Sequence, residues 1–199
     1  MNRTPITISC GKGLIDHAGL RIVRDIIKSG GVIVYPTETL YGLGADPMNR
    51  RAVMDAFTIK ERPTAQGVSV AFLSLEQAEG WVAVPPEAKR LLERHAPGPI
   101  TVLVPSKMFF ETGLPESPMF GIRIPCHPVA RQIIGACGPI VSTSANRHGH
   151  PPDAEEAVLV GESCGAVILA DGVRGEGSAV VSVDGEDINI IRPGPMNME

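Results

Sequence analysis

Hydrophobic and polar positions follow two periods along the chain, and the switches between them predict interleaved helices and strands. Residues 14–29 place Leu20, Val23, Ile26 and Ile27 on one face and Arg21, Arg24, Asp25 and Lys28 elsewhere, the spacing of an amphipathic helix. Gly30-Gly31 supply a residue that tolerates the left-handed conformation at its end. Val32–Tyr35 is a short β-branched run, read as a buried strand that Pro36 stops. Thr37–Gly44 interleaves apolar and hydroxyl residues and reads as a loop. Helical spacing returns over 50–60, with Val53, Ala56 and Phe57 inward, in a turn at 75–78, over 86–95 behind Pro86, and over 128–135. Further strands are expected at 68–73, 100–104, 121–124, 140–143, 166–170, 179–183 and 188–191, and Pro97-Gly98-Pro99 forces an irregular turn before the second of these. Helices are missing between several late strands. The pattern therefore predicts a mixed, strongly twisted α/β sheet rather than a doubly wound parallel one, in a single domain over 1–199 with no internal repeat.

Composition narrows the function classes. With 199 residues, 43% hydrophobic and 20% charged, the chain can bury a sizeable core and is not a disordered one. No apolar run reaches the ~18–20 residues of a membrane span, and the first residues, MNRTPITISCGKG, lack the apolar stretch of a signal peptide. Cys10, Cys126, Cys137 and Cys164 are scattered with no CxxC pair, so neither a zinc site nor a disulfide framework is suggested and a cytoplasmic location is expected. A net charge of −4 and 4% aromatics argue against a general RNA coat and against a base-stacking platform.

Three clusters could carry chemistry. Lys60-Glu61-Arg62-Pro63 puts two cations two residues apart, able to face one cleft if the chain is extended there; the bland alternative is a solvated pair. Ser142-Thr143-Ser144-Ala145-Asn146 gathers three hydroxyls and a carboxamide at a strand end, where ligands bind open α/β sheets, or else forms a cap or Asx turn. Pro36-Thr37-Glu38-Thr39-Leu40-Tyr41-Gly42 adds two hydroxyls and a carboxylate, with Gly42 and Gly44 allowing close backbone approach. Arg123 stands inside an apolar strand, which requires either a solvent face or an anionic partner, and Arg192 has the same character. No GxxxxGK[ST], GxGxxG, GxSxG or HExxH occurs, which removes support for P-loop, dinucleotide, hydrolase-elbow and zincin readings. His148, His150 and Asp153 read as a polar loop rather than a metal site. His127 reads as a cap or turn residue, and a Cys126–His127 dyad is rejected because neighbours on a strand point apart.

In this order the motifs resemble the YrdC-like family, the L-threonylcarbamoyladenylate synthases. The resemblance rests on Tyr35–Gly44, Lys60-x-Arg62-Pro63, Pro97-Gly98-Pro99-Ile100-Thr101, Gly121–Pro125, Ser142–Asn146 and Arg192-Pro193-Gly194, and it spans roughly residues 14–195. It implies a YrdC-like twisted mixed sheet flanked by helices, with a large open concave cavity. It implies that L-threonine and bicarbonate (or CO2) form a carbamate that attacks the α-phosphorus of ATP, releasing pyrophosphate, with Mg2+ on the phosphates. A separate tRNA threonylcarbamoyl transferase would then modify adenosine 37 of tRNA, with a weak tRNA contact possible here and no membrane involved. The length matches the form without an added C-terminal domain. Carried over residue by residue, the family assigns Lys60 and Arg62 to the transferring phosphate, and Ser144, Asn146 and Arg192 to the nucleotide. Threonine needs a carboxylate partner, for which Arg123 is the candidate, and hydroxyl and amine contacts, for which Thr37, Ser69, Ser142 and Ser178 are the candidates. Positioning rather than covalent catalysis is expected to dominate, and Lys60→Ala is expected to abolish turnover and leave folding intact. Two departures from the family pattern are Gly67, where a second proline is common, and Ser178-Ala179-Val180-Val181-Ser182, which lacks a Thr and an Asp.

The competing readings are a non-catalytic nucleotide- or RNA-binding paralogue of the same fold and a carbamoyl-adenylate-forming domain that uses carbamoyl phosphate. The paired Lys60/Arg62 and Ser144/Asn146 favour the enzyme.

Overall fold

The computed structural model describes residues 4–10, 13–61, 69–108 and 111–195. Among the described residues ten strands form one mixed sheet. They are β1 (Ile6–Ser9), β2 (Ile33–Pro36), β3 (Tyr41–Gly44), β4 (Ser69–Ala71), β5 (Ile100–Pro105), β6 (Met119–Arg123), β7 (Ile140–Ser144), β8 (Ala166–Leu169), β9 (Ala179–Asp184) and β10 (Asp187–Arg192). Their order across the sheet is β1-β8-β2-β3-β7-β4-β6-β5-β9-β10. The described residues also form the helices that flank it: α1 (His17–Lys28), α2 (Arg50–Ile59), α3 (Leu75–Glu79), α4 (Pro86–His95), α5 (Pro128–Cys137) and α6 (Ala154–Gly161).

The helices start where the sequence offers a cap. Asp16, Asn49, Ser74, His127 and Asp153 each accept a hydrogen bond from a backbone N–H in the first turn, while α4 opens on Pro86. Three differences from the sequence pattern have physical causes. Tyr41–Gly44 is a strand, not a loop, because it is paired on both sides, by β2 and by β7. Helix α6 carries Val158 and Leu159 on its exposed side, which blurs the amphipathic period that would have announced it. Strand β1 is an edge of four residues, only one of them even partly buried, so it shows no alternation.

Three apolar clusters form the core. One lies under α2 and α6, with Val34, Leu43, Val141 and Val167. A second lies under α3 and α4, with Val70, Val102, Ile122 and Val181. The third lies on the opposite face, where α1 and α5 cover Ile33, Tyr35, Ala71, Ile140 and Ile168. Side chains alternate along each strand, so the face carrying Tyr35, Ala71 and Ile140 continues to Thr37, Ser69 and Ser142. Registered partners share a face, and the same surface runs on through Arg123, Thr101 and Val180. Helices α1 and α5 do not reach that far. The uncovered stretch of this face is the floor of a concave cavity.

Candidate active site

The cavity encloses about 270 Å³, and its walls come from β3 to β7, β9, β10 and the turn between β2 and β3. Its position follows from β7. The first half of this strand pairs with β4 (Ser69↔Ser142, Val70↔Val141, Ala71↔Ile140) and its second half with β3 (Leu43↔Thr143, Gly42↔Ser144). The sheet is handed from one neighbour to the other at Ser142–Ser144, and the hollow opens there.

Of the sequence-predicted site residues, Thr37, Ser69, Arg123, Ser142, Ser144, Ser178 and Arg192 all line this one cavity. Arg123 is buried and forms an ion pair with the equally buried Glu38, through Nη2 and Oε1. Nη2 also donates to Thr39 Oγ1 at 3.3 Å, while Nη1 is buried with no hydrogen-bond partner. The other carboxylate oxygen of Glu38 accepts from the backbone N–H groups of Cys126 and His127 at 3.1 and 3.3 Å, at the start of α5. Burial pulls the Arg123 pKa down and Glu38 opposes that shift.

The Thr37 hydroxyl folds the β2–β3 turn: it donates to Leu40 O at 2.6 Å, accepts from the N–H groups of Thr39 and Leu40, and lies 2.9 Å from Thr39 Oγ1. Tyr35, fully buried, donates to Ser142 Oγ at 3.2 Å, and burial pushes its pKa up to about 12, so it stays a neutral donor. The glycines at 42 and 44 serve this ring. A Cβ at either position would stand 3.0–3.1 Å from Tyr35 ring carbons. The backbone approach that the sequence suggested for a ligand is made by the protein's own tyrosine. Gly121 plays a similar part on the floor, where an added Cβ would meet Ser69 Oγ at 2.4 Å.

Lys60 and Asn146 do not line the cavity but bond to Ser144, which does. Lys60 is the C-cap of α2 in a helical conformation, and Glu61 after it has φ of 52°. The Lys60 ammonium is buried and donates to Ser144 O (2.7 Å), Ser144 Oγ (3.1 Å), Asn146 O (3.0 Å) and Asn146 Oδ1 (2.8 Å). Ser144 Oγ closes the knot by donating to Asn146 Oδ1 at 2.6 Å, and Asn146 Nδ2 reaches the carbonyls of Arg147 and His150. Arg62 lies outside the described residues, as do Pro63 and Gly67. At the far end, Thr101 and Ser178 hydroxyls lie 3.0 Å apart, and exposed Arg192 donates through Nε to Ser178 O at 3.0 Å.

His127 caps α5, as its place before Pro128 suggested, and bridges to Asp171 O at 2.9 Å. Among the described residues no group of three or more His, Cys, Asp or Glu side chains could hold a metal ion. Asp153 caps α6, and His150 faces Glu156 at 3.7 Å. Glu156 is also gripped by Arg147 through Nε and Nη2, and this pairing holds its pKa at about 2. Of the other wall residues, Thr39, Tyr41 and Thr101 stand inside the quoted motifs but received no site role from the sequence, and Leu103 carries no motif signal.

Comparison with known proteins agrees with this geometry. The Sua5–YciO–YrdC family model, described as telomere recombination, matches residues 25–194. The chain is 41% identical over 140 residues to a threonylcarbamoyl-AMP synthase of Xanthomonas axonopodis pv. citri, covering 67% of this chain and 74% of that one. It is 34% identical to a putative threonylcarbamoyl-AMP synthase of Mycobacterium tuberculosis, over 97% of this chain and 92% of that one. Among solved structures, P. abyssi Sua5 complexed with L-threonine superposes with a TM-score of 0.85 at 28% identity. That match covers 96% of this chain, which spans 58% of the Sua5 chain. With the family match extending over most of its length and the fold and cavity in accord, the chain belongs to the Sua5–YciO–YrdC family.

Proposed function

We propose that this protein is an L-threonylcarbamoyladenylate synthase. The threonine amine takes up CO2 with loss of a proton, or bicarbonate with loss of water, to give a carbamate. A carbamate oxygen bonds to the α-phosphorus of ATP as the α–β phosphoanhydride bond breaks, and pyrophosphate leaves with that bond's electron pair. The observation that carries the reading is the collection of Arg123, Arg192 and a row of hydroxyls in one hollow about large enough for a small amino acid and the reacting end of a nucleotide. The family membership and the threonine complex of the P. abyssi relative support it.

In this reading Arg123 receives the threonine carboxylate, because a buried guanidinium with an unpartnered nitrogen favours a planar anion. Thr37, Ser69, Ser142 and Ser178 face the amine and hydroxyl. Ser144, Asn146 and Arg192 hold the nucleotide. Lys60 keeps the Ser144–Asn146 turn in shape and lends it positive charge, and Arg62 is assigned to the phosphates with it. Two anions, a carbamate and a triphosphate, must meet, so fixed positive charge and orientation are the catalytic resources. Mg2+ would be carried by the phosphates; among the described residues no group of three or more His, Cys, Asp or Glu side chains could hold it. The product would pass to a tRNA threonylcarbamoyl transferase that modifies adenosine 37, in the cytoplasm; no described helix is long and apolar enough to cross a membrane.

Pyrophosphate release from ATP, bicarbonate and each amino acid in turn tests this, with mass spectrometry of the adenylate. Turnover is expected with L-threonine alone. Nucleotide binding without turnover on any amino acid would replace the proposal with the non-catalytic nucleotide- or RNA-binding reading.

A further inference from the structure

We propose that Glu38 is a positioning residue that locks Arg123 in the orientation needed to read the carboxylate of the amino-acid substrate. The inference rests on the threonine reading above and goes one step behind the residue that touches the substrate.

A guanidinium on a strand has long, soft torsions, and holding it in one pose costs rotamer entropy. Here the pose is fixed from one side only. Glu38 Oε1 and Thr39 Oγ1 both take Nη2, and among the described residues nothing takes Nη1, which is buried on an arginine of the cavity wall. A buried guanidinium nitrogen without a partner is unfavourable unless something arrives to satisfy it. Among the described residues of this cavity it is the one buried side-chain nitrogen in that state.

The clamp is itself anchored. Glu38 Oε2 accepts two backbone N–H groups at the start of α5, where unpaired donors and the helix dipole favour a carboxylate. A carboxylate held by two amides is a rigid counter-charge, unlike an exposed glutamate. The neighbouring Thr37 turn keeps residues 37–40 in register, so that Glu38 and Thr39 reach the same arginine nitrogen from adjacent positions. Glu38 also offsets the charge of Arg123, so the site recognises a carboxylate by hydrogen-bond geometry more than by net positive potential. Glu38 is not among the residues that line the cavity, whereas Arg123 is.

Glu38→Gln keeps the shape but gives the anchor a donor where two donors already converge. The readout is the ratio of binding affinities for L-threonine and L-threonine amide, measured by calorimetry, beside the KM for ATP. In the variant the preference for the carboxylate falls about tenfold, as expected for one misaligned charge-assisted hydrogen bond, while the KM for ATP stays within about twofold. Thr39→Val, which removes the lesser anchor, moves the ratio the same way by a smaller factor and serves if Glu38→Gln folds poorly. A merely structural role would weaken threonine, its amide and ATP alike, and that outcome overturns the inference. So does an unchanged ratio in a folded variant. If the parent protein shows no threonine-dependent turnover but still prefers the carboxylate, and Glu38→Gln erases that preference, the positioning role stands and the synthase reading falls. If the parent has no such preference, both fall.

Discussion

Lys60→Met tests whether this residue is first a structural element of the nucleotide side. Methionine keeps the aliphatic stem and removes the ammonium. The loss leaves four oxygens of Ser144 and Asn146 short of a donor, although Ser144 Oγ and Asn146 Oδ1 still pair with each other. Three ammonium protons can make at most three good bonds at once, each contributing ~1.5–3 kcal/mol when one partner is charged. Against that stands the cost of keeping an ammonium out of water, several kcal/mol for a side chain this deeply buried. The difference is a net loss of about 3 kcal/mol. At ~2–4 °C per kcal/mol for a chain of this size, the melting temperature falls by about 6–12 °C. Thermal unfolding followed by circular dichroism, with the urea midpoint as a second measure, reads it. A melting temperature within ~2 °C of the parent would show the knot to contribute less than 1 kcal/mol and would refute the reasoning. The same contacts argue that Lys60→Ala also lowers stability, against the simpler expectation that it leaves folding intact.

Other outcomes follow from the same contacts. Gly121→Ala pushes a methyl group into Ser69, whose Oγ, Cβ and Cα lie 2.4, 2.8 and 2.9 Å from it; stability in urea drops by ~1–3 kcal/mol and the threonine KM rises. Glu156 has a folded-state pKa of about 2, set chiefly by its hydrogen bonds to Arg147 and far below an unfolded carboxyl near 4.5. Its stabilisation is therefore present above that unfolded value and drains away as pH falls toward 2; Glu156→Gln flattens the acid limb of the urea midpoint plotted against pH, and an unchanged limb would contradict the pairing. Arg192→Ala removes an exposed cation at the cavity rim, so the fold persists, ATP binds about tenfold more weakly and that affinity depends less on salt. Tyr35→Phe deletes one hydroxyl and leaves Ser142 without its donor; a loss of ~1 kcal/mol in stability, with a full-length ring still packed on Gly42 and Gly44, is expected from denaturant curves.

The amino-acid sequence by itself determined the local elements and the list of candidate residues. Helix α1 was legible because Val23 and Ile27 recur at helical spacing, and β5 and β9 because each is a short run rich in β-branched residues. Arg123 declared its own puzzle, since a charge among Ile122 and Ile124 needs a partner. What the tertiary structure decided was the identity of partners far apart in the chain. Glu38 and Arg123 are 85 residues apart and Lys60 and Asn146 are 86, and no periodicity encodes such pairings. The strand at Tyr41–Gly44 was invisible for the same reason. Two glycines lower local strand propensity, and only the ring of Tyr35 across the ladder and the pairing with β7 make them the right residues. The cavity too belongs to the assembled sheet. It exists because β7 changes neighbours at Ser142–Ser144 and because α1 and α5 end before covering the face beyond, and neither fact is a property of any one segment.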